Sequence, residues 1–221
     1  MDDRDDEDDG RRVHDSERIK RYISNTRYRE PHKGIINLVK EMEPGNAIEF
    51  GPGAGNDAIF LLENGWRVTG VDFNKEVEQE IISRIKNDNE KQKFSFINSR
   101  FEDIKNKGIK KNYYDLACGF DSLSFCSKEY FLDMWNEIAS LIKPGGILLV
   151  HLFGENDDFS KEYNRLLFFS RSEVIKLIKM HYSLNENNPK EFKEIEGNGK
   201  KANGELKHWH KFIIMAKKIK S

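Results

Sequence analysis

Cysteine is nearly missing: Cys118 and Cys126 are the only two in 221 residues. Two lone thiols make neither a disulfide framework nor a zinc-ligand set, which points to a reducing, cytoplasmic setting. Long apolar runs are missing too. Nothing approaches the ~20 residues needed to span a bilayer, and no signal-peptide pattern opens the chain, so no membrane partner is expected. An excess of one charge is also lacking. Lys and Arg total 37 against 38 Asp and Glu, a formal net charge of -1. That balance gives no electrostatic reason to expect nucleic acid. No internal repeat is visible, and nothing in the sequence fixes an oligomeric state.

What is present divides into three parts. Asp2 to Asp9 holds seven acids and one Arg. Charges that dense repel one another and bury nothing, so residues 1–10 are expected to be disordered. Residues 11–32 carry Ile19, Tyr22, Ile23 and Tyr28 among charges, and the Ile19–Ile23 spacing is helical. This segment is expected to be a helical lid, with Tyr22 and Tyr28 facing a substrate. Residues 33–221 form the main domain, of a length that suits one core.

In that domain strand and helix patterns alternate. Helices are expected around Ile35, Leu38 and Met42, over 57–64, along Val77, Ile81 and Ile85, and along Phe131, Trp135, Ile138 and Ile142. A further one is capped by Ser172 and runs to about Met180. Strands are expected at 47–50, at 66–72, around Phe94, Phe96 and Ile97, and at 113–119. Pro144-Gly145-Gly146 should break a helix before a fifth strand at 147–153, and two more follow at 191–196 and 208–216. The alternation predicts an α/β fold, a doubly wound sheet with helices on both faces.

The most informative run is Glu49-Phe50-Gly51-Pro52-Gly53-Ala54-Gly55. A strand ending in glycines before a helix lets backbone approach a ligand closely. Asp72 ends the next strand about 20 residues on, where an acid can accept both hydroxyls of a ribose. The spacing is Gly-x-Gly-x-Gly, whereas the dinucleotide fingerprint needs Gly-x-Gly-x-x-Gly, with a helix N-terminus facing a pyrophosphate. A helix opening on Asp57 repels phosphate. Glu49, inside the strand, suits a cationic ligand.

These residues resemble the first motif of class I S-adenosylmethionine-dependent methyltransferases. Residues 66–72 look like that family's second strand with its ribose acid, Tyr114-Asp115-Leu116-Ala117 like its fourth, and Leu141 to Gly146 like the turn before its fifth. The likeness covers about residues 33 to 217. Residues 121–126, 151–157 and 207–210 resemble a TehB-like, tellurite-resistance-type subgroup, which does not imply tellurite as substrate.

The resemblance implies a Rossmann-like, seven-stranded sheet, mostly parallel with an antiparallel last strand. It implies S-adenosylmethionine as cofactor, held by Glu49, Gly51, Gly53, Ala54, Gly55, Asp57, Asp72, Phe73, Phe101, Glu102 and Phe120. One departure stands out: Arg100 occupies the position where many relatives carry an acid for the adenine amino group. Phe101 or Glu102 is left to serve adenine.

Methyl transfer from a sulfonium needs alignment of three atoms and exclusion of water, and needs a base only if the acceptor carries a proton. No single residue type is therefore required. Topology nominates Asp121 after the fourth strand, Glu155 after the fifth, and Trp209 at the start of the last as substrate residues, with His208 and His210 as candidate catalytic bases. His151 reads as a satisfied buried histidine, and Lys190, Lys193, Lys200, Lys201, Lys207 and Lys211 as a solvated basic face. Two imidazoles without a third ligand make a weak metal site, so no metal is expected. The expected partner is a small-molecule methyl acceptor. The competing readings are a peptide or protein methyltransferase, a non-catalytic adenosylmethionine-binding protein and, last, a nicotinamide dehydrogenase.

Overall fold

A computed structural model describes residues 9–163 and 165–219, with side chains from Glu17 onward. The acidic run at residues 1–8 lies outside the described residues, and α1 (Asp9–Thr26) already includes Asp9 and Gly10. Five parallel strands follow one another as β1 (Asn46–Phe50), β2 (Arg67–Asp72), β3 (Phe94–Asn98), β4 (Tyr114–Gly119) and β5 (Ile142–Phe153). β8 (Leu206–Lys218) pairs antiparallel with β5. Its other edge carries β6 (Tyr182–Ser183) and β7 (Phe192–Lys200). The order β3-β2-β1-β4-β5-β8-β6, with β7 also paired to β8, makes an eight-stranded sheet, one more than expected because a two-residue β6 joins the edge.

Each face is covered because the helices carry apolar stripes at helical spacing. α2 (Lys33–Glu41), α3 (Asn56–Glu63) and α4 (Lys75–Arg84) bury Ile35, Leu38, Ala58, Leu61, Leu62, Val77 and Ile81 against one face. α6 (Phe131–Leu141) and α8 (Arg171–Lys179) bury Phe131, Trp135, Ile138, Val174 and Ile178 against the other. Trp135 Nε1 donates to the Leu177 carbonyl at 3.2 Å and ties those two helices together. The short α5 (Asp88–Lys93) and α7 (Phe159–Glu162) fill connections where no helix was expected.

Two expectations are corrected. Ser170, not Ser172, caps α8: its hydroxyl takes the Glu173 amide while the Glu173 carboxylate returns to the Ser170 amide, a capping box two residues earlier. Pro144-Gly145-Gly146 does not separate α6 from β5. The strand starts at Ile142 and absorbs the three residues as a bulge, the register jumping from Tyr114↔Ile142 to Leu116↔Ile147. Gly145 makes this possible with φ 82, in the left-handed region.

β1 is flanked by β2 and β4, so the chain reverses its direction of winding there. Ligands of such sheets bind beyond the carboxyl ends at that reversal. The segment after β5 is tied to the start of β8 by backbone bonds from Gly154 N to the His210 carbonyl (2.7 Å) and from Asp158 N to the His208 carbonyl (3.1 Å). Asp157, fully buried, accepts from the amides of His210 and Phe159 and from the Lys207 ammonium, whose side chain is 1% exposed. Lys207 is thus a buried cation, not part of a solvated face. Removing one member of a buried pair leaves the other charge uncompensated, so Asp157→Ala is expected to lower stability by ~3–5 kcal/mol in urea denaturation. A loss below ~1 kcal/mol would mean that the Lys207 ammonium reaches water.

Candidate active site

The site grows from the carboxyl edge around β1. Gly51, Gly53 and Gly55 all take positive φ (71, 54 and 75°), which L-residues with side chains rarely adopt. Space is equally strict. A Cβ on Gly51 would lie 2.5 Å from Ser122 Cβ, and one on Gly55 2.3 Å from Ile81 Cγ1. At Gly53 the obstacle is Tyr22 of α1, 2.9 Å away, where the sequence had suggested a bound cofactor. Ser122 Oγ donates to the Phe50 carbonyl at 2.6 Å and draws the loop after β4 onto the end of β1.

Register places the polar groups on one face. Paired residues of neighbouring strands share a face, which groups Glu49, Cys118, Leu149 and Met215. Further along that face come Phe120 after β4, His151 and Phe153 on β5, and Trp209 and Lys211 on β8. All lie on the side covered by α2 and α3.

Glu49 is 2% exposed, and its Oε2 has no hydrogen-bond partner among the described residues. Burial, and then the nearby Asp57 charge, push its pKa well above the usual carboxylate range. Asp57 is committed elsewhere: its oxygens take the His32 amide at 2.7 Å and meet His32 Nδ1 at 2.6 Å. The His32 ring stacks on Phe120 with centroids 3.9 Å apart. Asp72 ends β2, 7% exposed, and accepts from the Asn74 amide at 2.9 Å. Burial outweighs the Asn74 and Phe73 amide bonds and raises its pKa from 3.8 to about 6. Ala54 is buried in the loop, its carbonyl held by the Arg84 guanidinium. Phe73 is 43% exposed with the Arg100 guanidinium 5.5 Å from its ring. Phe101 stands edge-on to Phe50 beside Gly51, and Glu102 accepts from the Ser127 amide at 2.9 Å.

On the neighbouring side, Asp121 has φ 54, left-handed without being glycine. Such strain persists only where the surroundings enforce it, and it clusters at functional sites. Its Oδ2 accepts from the Lys211 ammonium. Its Oδ1 lies 3.4 Å from His151 Nδ1, without the geometry of a hydrogen bond. Burial favours the neutral acid at Asp121, but Lys211 and His151 outweigh it and hold the carboxyl well below its usual range. Tyr22 is 44% exposed. Even so, withdrawal from bulk water, and then the Asp121 charge, push its phenol up to about 12. α1 is fixed over this edge by buried Ile23, by Lys20–Glu76 and Arg27–Glu80 ion pairs (each 2.8 Å), and by Asn56 Nδ2 on the Thr26 carbonyl at 2.8 Å.

A family model described as a methyltransferase domain matches residues 22–194 of this chain. The chain belongs to the methyltransferase-domain family. No curated protein matches its sequence. Among solved structures, TehB from Haemophilus influenzae superposes with a TM-score of 0.67 at 19% identity, over 85% of this chain and 62% of that one. This methyltransferase-domain chain therefore spans 62% of the length of TehB. NodS from Bradyrhizobium japonicum WM9, an N-methyltransferase in complex with S-adenosyl-L-homocysteine, superposes at 0.62 with 14% identity, over 90% of this chain and 97% of that one. The Burkholderia thailandensis 1,6-didemethyltoxoflavin-N1-methyltransferase does so at 0.55 with 16% identity, over 85% and 79%. These likenesses show the shared fold. Among the described residues no helix is long and apolar enough to cross a membrane.

The other nominated residues are distributed as follows. His208 and His210 are turned to β7: His208 Nε2 meets Glu196 Oε1 and His210 Nε2 meets Glu194 Oε1, both at 3.0 Å. His210 is buried, accepts from the Asn156 amide at Nδ1, and presses on Gly154. Trp209 is on the opposite face, with the Lys207 and Lys211 ammonium groups 3.9 and 3.8 Å from its ring centroid. Glu155 is exposed, its amide on the Phe169 carbonyl. Tyr28 is 87% exposed and lines a separate groove of 620 Å³ between α1 and α4, where the facing charges are paired with each other.

Sequence reasoning missed His32, His151 and Lys211. His151 is not a satisfied histidine, because its Nδ1 is buried without a hydrogen bond. Lys211 is not on a solvated face, its side chain being 13% exposed against Asp121. Period-two alternation back from Phe153 is the one signal that could have found His151.

The raised pKa of Asp72 has a sign worth testing. A carboxyl whose folded pKa exceeds its unfolded value adds stability below about pH 4, and that stability is lost as pH rises through 6. Asp72→Asn mimics the protonated acid. It is expected to match the wild type at about pH 4 and to exceed it by ~3 kcal/mol at about pH 8, two units at 1.4 kcal/mol each. Thermal melts at both pH values check this, and a variant less stable at both would contradict it.

Proposed function

We propose that this chain transfers a methyl group from S-adenosylmethionine to a small-molecule acceptor. The observation that carries the reading is Glu49: a buried carboxylate with an unpartnered oxygen, set directly before three left-handed glycines. Burying such a group costs free energy unless a cation or donor arrives to meet it. S-adenosylmethionine offers an ammonium and a sulfonium there, and its ribose hydroxyls suit Asp72, which has no cationic partner among the described residues. The crowded, left-handed loop suits close backbone approach. A dinucleotide instead brings a pyrophosphate, which the Asp57 carboxylate repels and for which a protonated Glu49 supplies no positive charge.

When bound, S-adenosylmethionine supplies an activated methyl group, so the chain's residues have to orient and exclude water more than to activate. Asp72 orients the ribose, and Glu49 compensates the cationic end. Phe101 flanks the adenine side beside Gly51. Tyr22 roofs the loop over Gly53, and α1 reaches on to Tyr163, where the Arg18 guanidinium stands 6.0 Å from the ring. That roof favours an acceptor small enough to pass beneath it. The Burkholderia thailandensis 1,6-didemethyltoxoflavin-N1-methyltransferase, which holds the small molecule 1,6-didemethyltoxoflavin beside S-adenosylhomocysteine, supports a small acceptor. On the acceptor side we place Tyr22, Asp121, Lys211 and Trp209. His208 and His210 hold β7 and the segment after β5 in place behind them.

A cation meeting Glu49 favours its ionised form, so binding should expel a proton. At about pH 8, above the range in which Asp72 titrates, the calorimetric enthalpy of adenosylhomocysteine binding is expected to vary with the ionisation enthalpy of the buffer. Glu49→Gln should remove that dependence and weaken binding by ~10-fold or more, the loss expected for a hydrogen bond to a charged group. NAD should not bind measurably. Equal affinity for NAD, or adenosylhomocysteine binding with no proton release, would overturn the assignment.

A further inference from the structure

The pair formed by His151 and Asp121 deepens the reading just given and rests on it. His151 is two residues from the end of β5, its side chain 13% exposed, walled by Phe120 at 4.9 Å and His32 at 5.5 Å between ring centroids, both edge-on. Nδ1 faces Asp121 Oδ1 at 3.4 Å, and both atoms are buried without another partner. A shift of a few tenths of an ångström brings them into hydrogen-bond range, and such bonds are often long before ligands bind. Asp121 itself cannot turn away, being held by Lys211 and by its left-handed backbone. No described group bonds to Nε2. The other charges facing this pair are Lys211 from β8, Asp57 with His32 from the α2–α3 side, and Glu49 from β1. Tyr22 from α1 is kept protonated.

We propose that His151 takes the proton from the acceptor's nucleophile as the methyl arrives, with Asp121 as the positioning residue that fixes the proton on Nδ1 and leaves Nε2 bare. An ionised carboxylate beside Nδ1 selects that tautomer and stabilises the imidazolium that forms. In the step, the bond from the acceptor atom to the methyl carbon forms and the carbon–sulfur bond breaks, its electron pair passing to sulfur. The acceptor's proton goes to Nε2 and later to water. The acceptor class follows: an alcohol, phenol or ammonium, which carries a proton at neutral pH, and not a carboxylate or thioether, which needs no base. Tyr22, a phenol held in its neutral form, can donate to the second lone pair of an alcohol or phenol oxygen, while an ammonium nitrogen uses its one pair, freed by Nε2, to attack the methyl.

Histidine-selective nitrogen-15 labelling of the adenosylhomocysteine complex tests this without a known acceptor. His151 is expected as the Nδ1–H tautomer, and Asp121→Asn should convert it to Nε2–H. A wild type that binds adenosylhomocysteine with His151 bare at Nδ1, or as a mixture of tautomers, overturns this proposal alone. A wild type that does not bind it removes the cofactor reading and this one together. In parallel, His151→Gln is expected to keep adenosylhomocysteine affinity within about threefold. Its methyl incorporation from labelled S-adenosylmethionine into a small-metabolite extract should fall by ~10²-fold or more, the low end for a lost general base. Incorporation within about threefold of wild type would overturn the proposal.

Discussion

Burying a carboxylate costs free energy unless charge or hydrogen bonds meet it, and besides Asp157 the carboxyl edge of this sheet has four to accommodate. Asp57 is met by His32 and Asp121 by Lys211. Asp72 has only backbone amides, and Glu49 keeps one oxygen unmet. The two satisfied acids hold the frame: one anchors the segment ahead of α2, the other joins the loop after β4 to β8. The two unsatisfied acids keep a cost that the proposed cationic, hydroxyl-bearing cofactor would relieve. Site and stability are therefore opposed at Glu49 and Asp72, as expected where function needs a poorly solvated charge.

β8 shows how period-two alternation divides labour along one strand. Lys207, Trp209 and Lys211 face the segment after β5 and Asp121. His208 and His210 face β7 and meet Glu196 and Glu194. A single-residue slip would exchange these roles, and the bonds that the Asp157 and Asp158 carboxylates accept from the amides of His210 and His208 oppose it.

The glycine run, Asp72 and the alternation of elements were legible in the sequence because each is a local signal. Strand-end glycines and periodic apolar residues mean much the same wherever they occur. The reversal at β1 was read only from the strand order. His151 was not legible, since its meaning depends on Asp121, which reaches it through a left-handed turn that no local pattern announces. His32 stacks on a residue 88 positions away and owes its place to tertiary packing alone. Lys207 and Lys211 looked like surface residues because lysines in a polar run usually are. Only the carboxylates of Asp157 and Asp121, brought from distant loops, make their burial tolerable. Ser170 and Ser172 could each cap a helix by type, and Glu173, three residues after Ser170, decides between them.

The N-terminal helix stands over the glycine loop, so whatever enters or leaves that loop has to pass it. Its attachments to α4 include two ion pairs, from Lys20 and from Arg27 just past its end, whose cationic side chains are in contact with water, 63% and 38% exposed. Exposed pairs of this kind are individually weak and are screened by dissolved ions. On the proposed function, salt would act on the helix as a throttle: more of it would loosen the strap, shorten the residence time of spent cofactor, and tie the turnover rate to the ionic composition of the surroundings without touching the chemistry beneath.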